Sequence, residues 1–292
     1  MSEEVTINRK HKDRLFTTLF GDARYRNNML SLYNALNGTH YAEPDDLEIT
    51  TIEDVLYMKM KNDVSFIFRM NEMNLWEEQS TPNPNMPVRG LMYFAKLYDK
   101  YIQAHDLNVY GTKRLILPTP HYMVFYLGDE DTPDRMTLRL SDSFEGPDKG
   151  CIELTAEVIN INSGHNEELM DKCEVLRDYS TLISRIRINK KTMEIEEAVN
   201  LAVDSCINEG ILKDFLIEHK AEVNGMLLTE YNEEKTMKAF YRDGFSDGFS
   251  DGFNGAIKKM LKKGKAVEDI ADDLDISIDQ VKNIQASLLI TA

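Results

Sequence analysis

Cysteine and long apolar runs are both scarce in this chain. Its 292 residues include 3 cysteines, Cys151, Cys173 and Cys206, which lie far apart. An odd number at these spacings argues against a disulfide framework and matches no common metal-ligand pattern, so we expect buried, reduced thiols. No stretch approaches the roughly 18 apolar residues of a membrane-spanning helix, and the polar N-terminus has no apolar core of a signal peptide. The sequence therefore predicts a cytoplasmic protein with no membrane segment.

Positive charge is in the minority as well. The formal net charge is −16, and a uniformly acidic surface repels nucleic acids, because phosphate contacts normally supply much of their binding affinity. If the protein binds DNA, positive charge must be local or must come from a metal ion. Two basic clusters lie at residues 9–14 and 258–265, although each is equally well explained as a solvated helix face.

A core of useful size is available, since hydrophobic residues make up 42% of the chain, as in ordinary globular proteins. Apolar spacing predicts a helix over 12–37. After Pro44 the alternation of apolar and polar residues predicts strands, and a polar stretch at 69–74 suits a hairpin turn. The strands predicted in this part are 47–51, 56–60, 63–68 and 75–79.

A proline-rich connector over 81–87 leads into the second half of the predicted fold. Helix and strand patterns alternate there and become helical towards the C-terminus, so we expect an α/β protein with a helical C-terminal region. The predicted elements are a helix over 88–105, strands at 115–117 and 121–127, an acidic turn-rich segment at 129–150, a strand at 152–161, and helices from 166 to about 238.

Residues 241–255 form a four-residue repeat, YRDGFSDGFSDGFNG. The spacing places Phe245, Phe249 and Phe253 on one helical face, yet each glycine costs a helix about 1 kcal/mol relative to alanine. The repeat is therefore either a weak helix that forms against a partner or a flexible hinge, and we expect a domain boundary here. The predicted division is a core at 1–165, a helical extension at 166–240, the repeat at 241–255 and a C-terminal segment at 256–292.

The C-terminal segment has the spacing of a helix-turn-helix over 257–289. Ser277 would cap the second helix and Val281 would anchor it. Lys282 and Asn283 would then be exposed, and both side-chain types can contact base edges in DNA. Because Asp275 stands where the turn usually has glycine, a helical hairpin for oligomerisation, or for packing on its own core, is the alternative.

Two acidic residues on neighbouring predicted strands form the candidate chemical site. Hydrolysis of a phosphodiester needs an activated water and a group that neutralises the phosphate, and a divalent ion held by carboxylates can supply both. A hairpin would bring Asp63, at the start of one strand, close to Glu77 on the next. Glu77 and Gln79 would point to one face and Glu78 to the other. The pattern predicts a site for magnesium, or for manganese or calcium.

The order Asp63, turn, Glu77-Glu78-Gln79 resembles the PD-(D/E)XK nuclease pattern, in the Glu-x-Gln variant of the recombination-promoting nuclease (Rpn) and transposase-like family. The stretch KDRLFTTLF at 12–20 resembles that family's opening helix. Arg89 and Tyr93, four apart on the next helix, resemble its Arg-x-x-x-Tyr feature. Residues 158–166 together with 178–180 are similar to a later stretch of transposase-like members, so the resemblance covers roughly residues 10–235.

The resemblance implies a restriction-endonuclease-like core, with a mixed central sheet flanked by helices, and a magnesium-dependent DNA endonuclease. It implies that Asp63, Glu77 and the backbone carbonyl of Glu78 ligate the metal. Gln79 would orient the attacking water or contact the scissile phosphate, although it cannot supply the positive charge of a lysine. The remaining implied site residues are Asp13 from the first helix, with Asp22 as the weaker choice, and Arg89 and Tyr93 as phosphate or DNA contacts.

Each candidate also has a structural explanation. Asp63 could begin a strand or cap a turn, Glu77 and Gln79 could form the polar face of a half-exposed strand, and Arg89 could pair with Glu77 or Glu78. The alternative function is therefore an inactive nuclease-fold protein with an interaction or regulatory role, and strand joining by a transposase rests on the resemblance alone. DNA is the expected partner, and a homodimer is expected because cutting both strands with one metal centre needs two copies.

Overall fold

The structure is a computed structural model that describes residues 15–50, 63–146, 150–274 and 276–290, with the side chains at 230, 232–252 and 286–290 left out. The chain divides into two compact units, Met1–Glu230 and Tyr231–Ala292. The first unit is a mixed α/β structure and the second is helical, as the sequence predicts at this level. Among the described helices, none combines the length and the apolarity needed to cross a bilayer.

A six-stranded mixed sheet forms the centre of the first unit, in the order β1-β2-β3-β4-β6-β5. Strands β3, β4 and β6 are parallel to one another, whereas the pairs β1/β2, β2/β3 and β5/β6 are antiparallel. Helices cover both faces, which explains why β2 is buried along its whole length. The strands are β1 Leu47–Ile49, β2 Val64–Phe68, β3 Glu72–Gln79, β4 Thr119–Tyr126, β5 Arg135–Arg139 and β6 Thr155–Asn160.

Nine α-helices lie within the described residues, seven of which begin in the first unit. The sequence prediction of a long helix over 12–37 is corrected here, because Asp22 accepts a hydrogen bond from the backbone N–H of Arg24 and starts a short 3₁₀ turn between two helices. The helices are α1 Leu15–Gly21, α2 Arg26–Asn37, α3 Met86–Ala104, α4 Glu167–Lys172, α5 Glu174–Asn189, α6 Ile195–Glu209, α7 Lys213–Lys262, α8 Val267–Asp273 and α9 Ile278–Ile290.

Helix α3 covers the face of the sheet that carries the candidate site. Its buried residues Tyr93, Phe94 and Leu97 pack against side chains of β2, β3, β4 and β6 in one apolar cluster. Gly90 permits the close approach of helix and sheet, since a Cβ placed there would lie 2.5 Å from the ring of Tyr122 on β4. The opposite face of the sheet packs on α1 and α5, where the ring of Phe16 lies 5.4 Å from that of Phe125.

The hairpin between β2 and β3 is tighter than the sequence predicts. Phe68 pairs with Glu72, so the loop is residues 69–71 and β3 begins three residues before the predicted start at 75. Arg69 and Met70 adopt left-handed backbone conformations, with φ of 47° and 61°, which is how the chain reverses without a glycine. The continuous pairing of β2 with β3, from Phe68 and Glu72 to Val64 and Trp76, fixes the register of Asp63 and Glu77 at the end away from the turn.

Two strand predictions in the second half of the sheet are wrong. Residues 115–117 form no strand, and Ile116 is 80% exposed, so their apolar character reflects surface residues and not a buried strand. The segment 129–150, predicted as turns, contains β5, an edge strand with alternating burial that pairs with β6. The predicted strand at 56–60 lies outside the described residues.

The second unit contains the C-terminal part of α7 together with α8 and α9. Ile257, Ile270, Ala271 and Val281 form its buried cluster, as the helix-turn-helix spacing predicts for Val281. Ser277 Oγ accepts a hydrogen bond from the backbone N–H of Gln280, whose side chain accepts one from Ser277 in return. This reciprocal pair is a capping box at the start of α9. The repeat at 241–255 lies inside α7, so of the two alternatives, helix and hinge, the structure shows the helix.

Candidate metal and catalytic site

The register of the β2/β3 hairpin brings Asp63 and Glu77 together. Val64 pairs with Trp76, so the next position places Asp63 opposite Glu77 with both side chains on the same face of the sheet. The charge of Asp63 also raises the pKa of Glu77, which requires the two carboxylates to be near each other. The structure thus assembles two acids from neighbouring strands on the face covered by α3.

Glu77 is enclosed to an unusual degree for a carboxylate. It is 0% exposed, and neither carboxylate oxygen has hydrogen-bond geometry with any partner in the described part of the chain. Its pKa is raised to about 7, mainly by burial and also by the charge of Asp63, while Arg89 and the hydroxyls of Tyr122 and Tyr93 act in the opposite direction. The half-exposed-strand alternative is therefore wrong for Glu77, which is a buried acid with unfilled acceptor positions.

Arg89 lies on α3 directly over this acid. Its Nη2 atom is 3.0 Å from Oε2 of Glu77 and donates a hydrogen bond to the hydroxyl of Tyr93 over 3.2 Å. The four-residue spacing of Arg89 and Tyr93 makes this contact possible, because it places them on one helical face. The arginine side chain remains 32% exposed, so it reaches from solvent to the buried carboxylate. The ion pair between Arg89 and Glu77, which is one of the structural explanations offered for Arg89 from the sequence, is therefore present.

The backbone of Glu78 fixes the orientation of Asp63. The N–H of Glu78 donates a 2.8 Å hydrogen bond to Oδ2 of Asp63, which ties the start of β2 to β3. The side chain of Glu78 is 8% exposed and points to the opposite face from Glu77. The observed contact of Glu78 with the acidic pair is therefore made by its backbone N–H, and the carbonyl ligand implied by the resemblance stays a prediction.

Gln79 ends β3 and is half-buried. It lines a cavity of about 160 Å³ on the same face of the sheet, together with Val124, Tyr126 and Val158. Its backbone carbonyl accepts a hydrogen bond from Leu127. The amide side chain thus lies between the acidic pair and an apolar cavity, a position that sequence spacing alone does not predict.

One further polar side chain of the site was missed at the sequence level. The hydroxyl of Tyr122 on β4 is buried without a hydrogen-bond partner of suitable geometry within the described residues. Burial, and then the charge of Glu77, raise the pKa of Tyr122. Alternation in β4 groups Tyr122 with Val124, but only the parallel pairing of β3 with β4 shows that this face meets Glu77.

The outcome differs among the remaining predicted residues. Asp13 lies outside the described residues. Asp22 accepts hydrogen bonds from the backbone and guanidinium of Arg24 and acts as a cap. Lys282 and Asn283 are exposed on α9 in the second unit, where their side chains are accessible to solvent.

The oxygen donors at the site are of the type that magnesium accepts. Within the described residues, no group of three or more His, Cys, Asp or Glu side chains is arranged to hold a metal, so the protein would offer two carboxylates and the carbonyl of Glu78. Magnesium accepts such a set, because it usually keeps several waters and binds through one or two carboxylates. The unfilled acceptor positions of Glu77 support the fit, and the nearby guanidinium of Arg89 opposes it electrostatically.

The chain was compared with protein-family models, with curated proteins and with solved structures, and no match was found in any of the three comparisons.

Proposed function

We propose that this protein is a metal-dependent DNA endonuclease with a PD-(D/E)XK-type core, of the recombination-promoting and transposase-like kind. The observation that carries the proposal is the buried Glu77 beside Asp63, on a hairpin at the centre of a mixed sheet flanked by helices. A carboxylate buried without hydrogen bonds is costly unless a cation compensates it. Arg89 compensates part of this charge and leaves the oxygens of Glu77 unbonded.

The residues would divide the work as follows. Asp63, Glu77 and the Glu78 carbonyl would hold magnesium, which when bound lowers the pKa of water and neutralises charge on the phosphate. Gln79, at the end of the same strand, would hydrogen-bond the attacking water or the scissile phosphate through its amide. Arg89, which is one-third exposed, would turn from Glu77 to a phosphate oxygen and donate two parallel hydrogen bonds.

Cleavage of plasmid DNA tests this assignment. The purified protein is expected to nick or linearise the plasmid with magnesium or manganese and to lose this activity in Asp63→Ala and in Glu77→Ala. Glu48→Ala is the matched control, because Glu48 is an exposed acid on β1, and it is expected to cut like the unaltered protein. Fluorescence of Trp76, the single tryptophan of the chain and 1% exposed, reports whether each variant keeps its folded core. Activity that survives both acid substitutions would contradict the assignment.

An inactive nuclease-fold protein with an interaction or regulatory role is the second candidate. The Arg89–Glu77 ion pair favours it, since the arginine supplies positive charge at the acid without a metal, and so does the glutamine at position 79. Calorimetric titration with magnesium and manganese separates the two proposals. Binding that disappears in Glu77→Ala supports the nuclease, whereas no binding at millimolar metal supports the inactive protein.

Oligomeric state and location belong to the same proposal. We infer a homodimer in the cytoplasm, since one metal centre per chain cuts one strand and a symmetric pair cuts both. Sedimentation of the protein with and without a short duplex checks the first point. A monomer that nevertheless makes double-strand breaks in one binding event would contradict it.

A further inference from the structure

The cavity beside Gln79 is a pocket with a sheet floor and a loop wall. Side chains of β4, β5 and β6 form the floor, and the loop leading into α3 forms the wall. Its volume is about 160 Å³. The lining includes Gln79, Thr81 and Asn83, which are polar, and Met136, Leu138 and Val158, which are apolar. We refer to this cavity as the β-sheet pocket.

The size and chemistry of the β-sheet pocket select a class of ligand. Its lining is mostly apolar, with polar groups confined to Gln79, Thr81, Asn83 and the hydroxyl of Tyr126. That oxygen is already bonded, since it donates to the carbonyl of Glu130 and accepts from its N–H. An apolar cavity of about 150 Å³ holds a benzene molecule, so this pocket accommodates one six-membered ring with a polar edge at Gln79, Thr81 or Asn83.

The β-sheet pocket adjoins the candidate catalytic site along β3 and β4. Gln79 is two residues beyond Glu77 on the same face of β3, a distance of about 7 Å along the strand. Val124, which lines the pocket, pairs directly with Glu77 in the parallel register. A ring held in the pocket would therefore belong to the nucleotide next to a phosphate bound at Asp63 and Glu77.

We propose that the β-sheet pocket receives one unstacked pyrimidine base, with thymine preferred, from the DNA strand at the catalytic site. This inference rests on the proposed nuclease function and adds the recognition of a base. Thymine fits because its C5-methyl group makes apolar contacts, here with Met136, Leu138 and Val158, while its polar edge meets the amide of Gln79. A purine has two fused rings and exceeds the space of a single ring.

Binding of single-stranded oligonucleotides tests the proposal with the full chain. The probes are fluorescein-labelled oligo-dT and oligo-dA of about eight nucleotides, and their affinities are measured by fluorescence anisotropy in calcium. The protein is expected to bind oligo-dT about tenfold more tightly than oligo-dA, the effect of one base contact. Val158→Phe fills the pocket and is expected to reduce oligo-dT affinity to the level of oligo-dA. Leu138→Phe, on the edge strand β5, repeats the test if Val158→Phe does not fold.

Thr137→Phe is the matched control, because Thr137 neighbours Leu138 on β5 but is exposed on the opposite face of the sheet. It is expected to keep the preference for oligo-dT. Equal affinity of the unaltered protein for both probes, no binding of either probe, or a preference that survives filling of the pocket would overturn the proposal. Base preference that disappears on filling supports the pocket even if the plasmid stays intact, and in that case only the nuclease proposal fails.

Discussion

The ionisation of Glu77 should make the stability of the first unit fall as pH rises. Burial raises the pKa of this carboxyl from 4.5 to about 7, so the folded protein holds a proton over a range where the unfolded chain has released it. Stability is then fully present below the unfolded pKa and is lost as pH rises through the folded pKa. A difference of this size corresponds to about 3 kcal/mol between about pH 4 and about pH 8.

Glu77→Gln removes this titration while keeping the shape of the side chain. We expect the variant to gain stability relative to the unaltered protein as pH rises from about 4.5 to about 7, by about 3 kcal/mol in total, and to gain nothing further above that range. Urea unfolding followed by Trp76 fluorescence measures this directly, because Trp76 is the residue before Glu77 and is buried in the same unit.

Glu48→Gln provides the control, since Glu48 is an exposed carboxylate on β1 and not part of the buried cluster. Its stability is expected to follow the unaltered protein at every pH. Magnesium should reduce the difference between Glu77→Gln and the unaltered protein at about pH 8, because a bound cation stabilises the ionised carboxylate. If the stabilities of Glu77→Gln and the unaltered protein stay parallel across pH, Glu77 is not the buried titrating group described here.

Three further substitutions test the packing and polar contacts of the two units. Gly90→Ala forces the Tyr122 ring to move, because the new Cβ would lie 2.5 Å from it, and should destabilise the first unit by about 1–3 kcal/mol in urea unfolding. Arg89→Met removes the cation beside Glu77. It should destabilise the first unit by about 2 kcal/mol at pH 8, where Glu77 is ionised, and by much less at pH 5. Urea unfolding at the two pH values measures the difference. Ser277→Ala removes the cap of α9 and should cost about 1 kcal/mol, measured as helix loss by circular dichroism.

The pairing of the two acids could be predicted from the sequence because it depends on local rules. Alternation places Glu77 and Gln79 on one face, and a hairpin between adjacent strands brings Asp63 opposite Glu77. The strand alternation does not indicate whether another element covers that face. The complete burial of Glu77 follows from the docking of α3, which depends on Gly90 and on contacts between distant parts of the chain.

Features that depend on nonlocal pairing were not predictable from one sequence. Tyr122 joins the site only because β4 lies parallel to β3. The edge strand β5 is a different case, since Arg135–Arg139 does alternate polar and apolar residues but is only five residues long and lies within an acidic, turn-rich segment. Residues 115–117 were predicted as a strand because they are apolar, but their side chains lie at the surface.

The central claim is that Asp63 and Glu77 share one divalent ion. A crystal structure of the protein grown with manganese tests it most directly, through the anomalous signal of the metal. The account predicts one peak about 2 Å from a carboxylate oxygen of each acid, with Arg89 displaced from Glu77. Crystals in which no peak lies between the two acids, and in which Glu77 remains paired with Arg89 alone at millimolar manganese, would contradict it.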